Sequence, residues 1–230
     1  SNSNQDMADR LAWGDRMRIG LLSDSHGFLD ESVYTWFADC DELWHAGDFG
    51  PGVLEALEAF KPLKGVYGNV DGATVRAAVP RDLVWTCEGV RVYMTHIGGH
   101  PGAYDKHARQ TIVAEKPALF ICGHSHITRV IRDPALGLLH MNPGACGHHG
   151  WHQVRTMLRF SIDAGKIHDV AEEVRTRRSV STCSAVRKAS RIWPTKRIST
   201  SRRHVTRSPL RMARVARAPS PPCVAPPGAR

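Results

Sequence analysis

No C-x-x-C pair occurs among the six cysteines (40, 87, 122, 146, 183 and 223), and their spacing makes no even framework. That excludes a disulfide scaffold and suits a reducing, cytoplasmic setting. Cys87 and Cys122 sit in apolar, strand-like runs and read as small core residues. No apolar run approaches the roughly 20 residues of a membrane span, so no membrane partner is expected. The opening S-N-S-N-Q-D-M-A-D-R-L-A-W-G-D-R lacks the apolar core of a secretory signal, and residues 1–16 read as a flexible extension before a folded unit that starts at Met17. Acidic residues are missing from the last quarter. Beyond Glu173 stand fifteen Lys and Arg and no Asp or Glu, which leaves 16 basic against 22 acidic groups in residues 1–173. The formal +9 is therefore about −6 for the first part and +15 for the second, and overall basicity does not make the folded part a nucleic-acid binder.

What is present divides the 230 residues, 42% hydrophobic and 23% charged, into a domain over 17–173 and a basic tail over 174–230. The tail is rich in Arg, Ser, Pro, Ala and Thr, and is too poor in periodic apolar residues to offset its chain entropy. Disorder is the expectation. An electrostatic arm for nucleic acid is the alternative, although Trp193 alone supplies an aromatic there.

Within the domain, Met17–Leu22 reads as a strand ending in S-D-S-H-G, and Asp30–Asp39 as a helix with Val33, Trp36 and Phe37 on one face. E-L-W-H-A-G-D-F-G repeats the theme of a short strand closed by Gly and Asp. Val53–Phe60 is helical behind Pro51, and L-K-G-V-Y-G-N-V-D-G is a third strand. Leu83–Thr86 and Val90–Thr95 form a hairpin ending at His96, and Tyr104–Glu115 is a helix closing before Pro117. Ala118–Cys122 reads as a buried strand, broken by Gly123 just before His124 and His126. A strand pair around D-P-A-L-G and a last hairpin, Val154–Ile162 with Lys166–Val170, complete the domain. Strand–helix alternation followed by hairpins predicts a mixed α/β sandwich.

The pair His124 and His126 alone fits a metal site as well as a hydrogen-bonded loop. Five strand ends, however, carry a similar signature: Asp24 with His26, Asp48, Asn69, His96, and His124 with His126. On one edge of a sheet these residues can meet. Two carboxylates, one amide oxygen and four imidazoles are too many for one zinc ion, but suit two ions that share a bridging carboxylate. Mixed N/O donors without thiolate suit Mn²⁺, Fe or Zn²⁺. Glycines at 47, 68 and 123 are expected to let the backbone turn so that each ligand points inward.

In order, D-x-H … G-D … G-N … H … G-H-x-H resembles the calcineurin-like metallophosphoesterase superfamily over Met17 to about Val174. G-L-L-S-D-S-H-G, H-A-G-D, V-Y-G-N-V-D and N-P-G-A are similar to its small bacterial and archaeal phosphodiesterase branch, whose relatives include the retromer's metallophosphoesterase-like subunit. The resemblance implies an α/β/β/α sandwich of two mixed β-sheets flanked by helices. It further implies two divalent metal ions per chain, with Mn²⁺ placed first and Fe, Zn²⁺, Ni²⁺ or Mg²⁺ as alternatives. Asp24, His26, Asp48 and His126 would hold one ion. Asp48, Asn69, His96 and His124 would hold the other, and Asp48, Asn69 and His96 are the implied catalytic residues. The implied activity is hydrolysis of a small phosphodiester by a hydroxide held between the ions. Alternatives are a nuclease using the same site and a catalytically silent protein-binding scaffold. The branch also implies a homodimer.

Many members read G-N-H-[DE], with a histidine that protonates the leaving group, and Val70 stands at that position here. His100, in I-G-G-H-P-G, is the candidate replacement, against a plain surface histidine. Asp71 is expected to orient a ligand histidine. His45 reads as a strand residue. His148, His149 and His152 read as an exposed loop, with the substrate mouth as the alternative. Trp13, Trp36 and Trp85 read as packing or surface residues.

Overall fold

The computed structural model describes residues 16–176 and 185–188. Apolar strands alternate with short helices at the start: β1 (Met17–Leu22), α1 (Glu31–Trp36), β2 (Glu42–His45), α2 (Val53–Phe60) and β3 (Leu63–Gly65). Crossover helices require parallel neighbours. β1 accordingly pairs in parallel with β2 (Leu21 opposite Trp44), and β2 with β3 (Leu43 opposite Leu63). α3 (Ala73–Ala78), β4 (Asp82–Cys87), β5 (Val90–Thr95), β6 (Gly99–His100), β7 (Ala103–Tyr104) and α4 (Lys106–Glu115) follow. The chain continues through β8 (Leu119–Ile121), β9 (Thr128–Asp133), β10 (Leu138–Pro143), β11 (Val154–Asp163), β12 (Lys166–Thr176) and β13 (Ala185–Lys188).

Two mixed sheets result, a six-stranded one ordered β13-β12-β11-β1-β2-β3 and a five-stranded one ordered β4-β5-β8-β10-β9. Their inner faces share one core, in which Ile19, Leu21, Trp44 and Phe160 meet Val92, Met94, Ile121 and Met141. Phe37, Leu54 and Leu57 bury against Leu22 and Leu43 outside the first sheet, and Ala108 and Ile112 of α4 bury against Tyr93 and Phe120 outside the second. The layers are therefore α/β/β/α, as the resemblance implies.

Local chemistry sets the boundaries. Asp30 caps α1 by accepting the Ser32 N–H, and Asp105 caps α4 by accepting those of His107 and Ala108. Tyr104, expected at the start of that helix, instead belongs to the small β6–β7 hairpin. Strand β12 passes the expected boundary at 173, because β11 offers partners as far as Val154 opposite Thr176. β13 then pairs with it antiparallel, Val186 opposite Glu173. Residues 1–15 of the N-terminal extension, Trp13 among them, and the rest of the basic tail lie outside the described residues. Among the described residues no helix is long and apolar enough to cross a membrane.

Candidate metal centre

The C-terminal ends of β1, β2 and β3 lie side by side, and so do those of β5 and β8 in the second sheet. Each of these strands delivers ligand candidates just beyond its last residue. The first two loops are stitched together by the Asp24 N–H to the Gly47 carbonyl (2.9 Å), His26 N–H to Asp48 (3.0 Å) and Gly27 N–H to Phe49 (2.8 Å). The Gly123 N–H donates to the His96 carbonyl (3.0 Å) and so joins the other two. Two sets of side chains converge: Asp24, His26 and His126, and Asp48, His96 and His124, with the donor atoms of each set within 4.8 Å of one another. Asn69 is exposed and lines the same cavity as His96.

The donor atoms fit a pair of cations. Asp24 Oδ2 accepts from the Ser23 hydroxyl (2.5 Å) and the His124 N–H (3.0 Å), which leaves Oδ1 buried without a hydrogen bond. His96 Nδ1–H donates to the Ala46 carbonyl (2.7 Å), so the neutral ring turns a bare Nε2 inward. That Nε2 and His26 Nε2 are likewise buried and unpartnered. Further donor atoms crowd round these three. Asp48 Oδ2 lies 3.2 Å from His96 Nε2 and 3.9 Å from His26 Nε2, and Asp24 Oδ1 lies 3.1 Å from His126 Nε2. Facing lone pairs in a buried site repel unless a positive charge lies between them. The acid–base balance reflects this: burial works to lower the His96 pKa, yet Asp48 and Asp24 outweigh it and raise it. Burial works to raise Asp48, and His96 outweighs it and lowers it. For His26, burial prevails over the same two carboxylates and the pKa falls.

Residues 17–165 match the family profile of the calcineurin-like phosphoesterase superfamily domain. The chain belongs to that superfamily. Solved structures share its fold. Vacuolar Protein Sorting 29 from Cryptosporidium parvum superposes with a TM-score of 0.58 at 16% identity, covering 75% of this chain and 97% of that one. Wild-type Vps29 from Entamoeba histolytica, complexed with Zn²⁺, gives 0.55 at 16% identity, over 74% and 99% of the two chains. A Thermotoga maritima protein solved by NMR in solution gives 0.52 at 26% identity, over 70% and 99%. A search among curated proteins finds no match.

Around the ligand cradle, the bracing differs from expectation at Asp71, Gly68 and Gly123. Asp71 contacts no ligand imidazole through the hydrogen bonds it makes. Its Oδ2 accepts the N–H groups of Asp48 (3.0 Å) and Gly68 (2.8 Å), and its Oδ1 that of Gly50 (3.0 Å), so it clamps two loops by their backbones. Of the three glycines, only Gly47 has a left-handed backbone (φ +97°). Gly68 and Gly123 serve close approach instead, since a Cβ would stand 1.9 Å from Asp48 Oδ1 and 2.0 Å from Ser23 Oγ. The left-handed turns are made by the ligands themselves: Asp24, His26, Asp48, His124 and His126 all have φ between 48° and 65°. His45 is a strand residue as expected, buried and stacked on Phe49 (3.7 Å). Its Nδ1 accepts the Gly47 N–H (3.1 Å), so its Nε2–H faces Ser25 Oγ (2.9 Å), and burial lowers its pKa to about 3. Asn142, in the N-P-G turn, donates to the Gly123 carbonyl (2.7 Å) and accepts the Gly144 N–H (2.9 Å), which braces the G-H-S-H loop.

At the mouth, His100 is exposed in the β6–β7 hairpin with its Nδ1 on the Pro101 carbonyl (3.0 Å) and belongs to neither ligand set. The 147–153 loop does reach the cradle. The His149 ring lies 4.7 Å from that of His26, and His152 Nδ1 is 3.3 Å from His126 Nδ1. The clustering of histidines in G-H-H-G-W-H was the available signal for this approach. His148 packs on Phe28 (4.0 Å) instead. Two cavities border the ligands: one of about 280 Å³ on Asn69 and His96, the other of about 510 Å³ on His124 and His126.

Proposed function

We propose that the chain is a dinuclear-metal phosphoesterase of the small phosphodiesterase branch, acting on phosphodiesters. The observation that carries this reading is the convergence of the buried, unpartnered Asp24 Oδ1, His26 Nε2 and His96 Nε2. Asp24, His26, Asp48 and His126 would hold one ion, and Asp48, Asn69, His96 and His124 the other. Asp48 would be shared between them: its Oδ1 accepts the Val70 N–H (3.0 Å) and its Oδ2 faces the histidines of both sets. Mixed imidazole and carboxylate donors suit Mn²⁺, Fe or Zn²⁺, and Mn²⁺ is the ion proposed from the resemblance. Bound there, such ions would neutralise phosphoryl charge and make a water acidic enough to attack phosphorus at neutral pH. The chain's own part is to fix the donors: Asp71 sets the Asp48 and Asn69 loops, the Ala46 carbonyl sets the His96 tautomer, and Asn142 sets the His124–His126 turn.

Diesters are favoured over monoesters because two separate cavities border the ligands and give room for an alcohol on each side of phosphorus. Val70, 56% exposed, stands where other members place an acid for the leaving group. Such an acid is typically worth about 10²–10⁴-fold, so good leaving groups are expected to react far faster than poor ones. A binding scaffold is the second reading, favoured by the exposed Val70, Ile97, Ile127 and Trp151 close to the ligands. One structure of this fold, Chaetomium thermophilum Vps29, was solved with a cyclic peptide. Hydrolysis of bis(p-nitrophenyl) phosphate and p-nitrophenyl phosphate by metal-stripped protein, with and without Mn²⁺, separates the readings. Metal-dependent diester cleavage, lost in Asn69→Ala, is expected. No turnover of either ester with any divalent metal would leave the scaffold.

A further inference from the structure

We infer that the alcohol on the Asn69 side of the substrate carries its own negative charge, received by an arginine-lined cavity; this rests on the phosphodiesterase reading above. The cavity of about 280 Å³ is bounded by Asn69, His96, Tyr67, Thr95, Arg76 and Arg81. It has room for a short alcohol ending in a carboxylate or phosphate. Arg76 is pinned at its wall. Its Nε donates to the Asp71 carbonyl (2.7 Å), its Nη2 to those of Asn69 (3.1 Å) and Gly68 (3.3 Å), and its guanidinium lies 4.7 Å over the Tyr67 ring. These partners are carbonyls and a ring, and among the described residues no carboxylate pairs with it. Its positive charge is therefore held in place without being neutralised.

Arg81 adds a second, movable cation, with its side chain 61% exposed. The carboxylate nearest to it, Asp82, is 3.9 Å away and already engaged by the Tyr93 hydroxyl and His107 Nε2, each at 2.9 Å. The metal cradle has its own means of holding the phosphoryl oxygens, so two further guanidiniums beyond Asn69 address a different anionic group. The cavity on the other side is unlike it, offering Ile127, Trp151 and imidazoles with no lysine or arginine. The two arms of the diester are thus distinguished by charge.

The test uses p-nitrophenyl phosphodiesters that share one leaving group and differ in the second alcohol: ethanol, choline or glycolic acid. With Mn²⁺, the glycolate ester is expected to have a KM about tenfold below the ethyl ester, and the choline ester a higher one. Arg81→Glu should collapse the glycolate-to-ethyl ratio to about one, with Mn²⁺ stoichiometry unchanged as the check on the cradle. In parallel, inorganic pyrophosphate is titrated calorimetrically into metal-free protein, where Arg81→Glu should weaken binding about tenfold. Equal KM for all three esters, unaltered by Arg81→Glu, overturns the inference and leaves the phosphodiesterase standing. If no ester turns over, pyrophosphate binding that depends on Arg81 keeps the cavity and removes the diester. Binding indifferent to Arg81 then removes both.

Discussion

Asp71 shows what a single carboxylate does when it is spent on backbone rather than on a side chain. Three N–H groups from two ligand loops end on its two oxygens. An asparagine has one acceptor oxygen and turns an NH₂ toward at least one of those donors. Asp71→Asn is therefore expected to cost about 1–3 kcal/mol of stability and to weaken Mn²⁺ binding about 10–100-fold, read by thermal melts of metal-free protein and by calorimetric titration. Wild-type Mn²⁺ affinity in the variant would show that the clamp does not position the ligands. The seven ligand candidates were legible because acids, an amide and imidazoles at the ends of apolar strands stand out against their surroundings. The job of Asp71 was not, because its partners are backbone N–H groups that every residue carries. His149 and His152 were legible only as one of two alternatives, because a histidine cluster marks a loop while the loop's path back onto the cradle leaves no periodicity to read.

At the scale of elements, strands and their order followed from apolar runs, while the weakest elements escaped. α3 has six residues and buries only Val75, and β6 and β7 have two residues each, too short for any period to register. The loops carry the unforeseen feature. Nine described residues other than glycine have positive φ, and five of them are ligand candidates, so backbone strain is concentrated at the cradle. Histidine tolerates such a backbone better than most residues but less well than glycine, so the preference for it would come from what the side chain holds. His124, exposed and at φ 65°, gives the cleanest comparison. Both His124→Ala and His124→Gly remove the imidazole, but glycine accepts the left-handed backbone. Metal-free His124→Gly is expected to be about 1 kcal/mol more stable than His124→Ala, measured by urea unfolding. Glycine being equal to or worse than alanine would show that the turn is not strained.

For the whole molecule, burial fixes the protonation state of histidines outside the two ligand sets, and this gives a pH dependence with a definite sign. His140 lies in β10 within L-L-H-M-N-P, flanked by Leu139 and Met141, and is fully buried. Phe120 and Tyr104 stand 5.6 Å and 6.2 Å from its ring, and among the described residues neither ring nitrogen has a hydrogen-bond partner. Burial, reinforced by the charges of Arg129 and His100 and opposed by Asp133, lowers its pKa to about 4. The unfolded chain takes up this proton near pH 6.5, and the folded chain only near pH 4. Between those values the unfolded state binds more protons, so the contribution of His140 to stability is complete above about pH 6.5 and is lost as pH falls toward 4. His45, lowered to about 3 by burial, acts in the same direction. From pH 7.5 to pH 5, His140 alone should remove roughly 2 kcal/mol. His140→Leu keeps an apolar side chain in that place and cannot be protonated. Urea unfolding of metal-free wild type and variant at the two pH values should therefore show the variant losing less stability by about that amount. An identical loss in both proteins would mean that the folded chain admits the proton at His140 as readily as water does, and that the core around β10 is open.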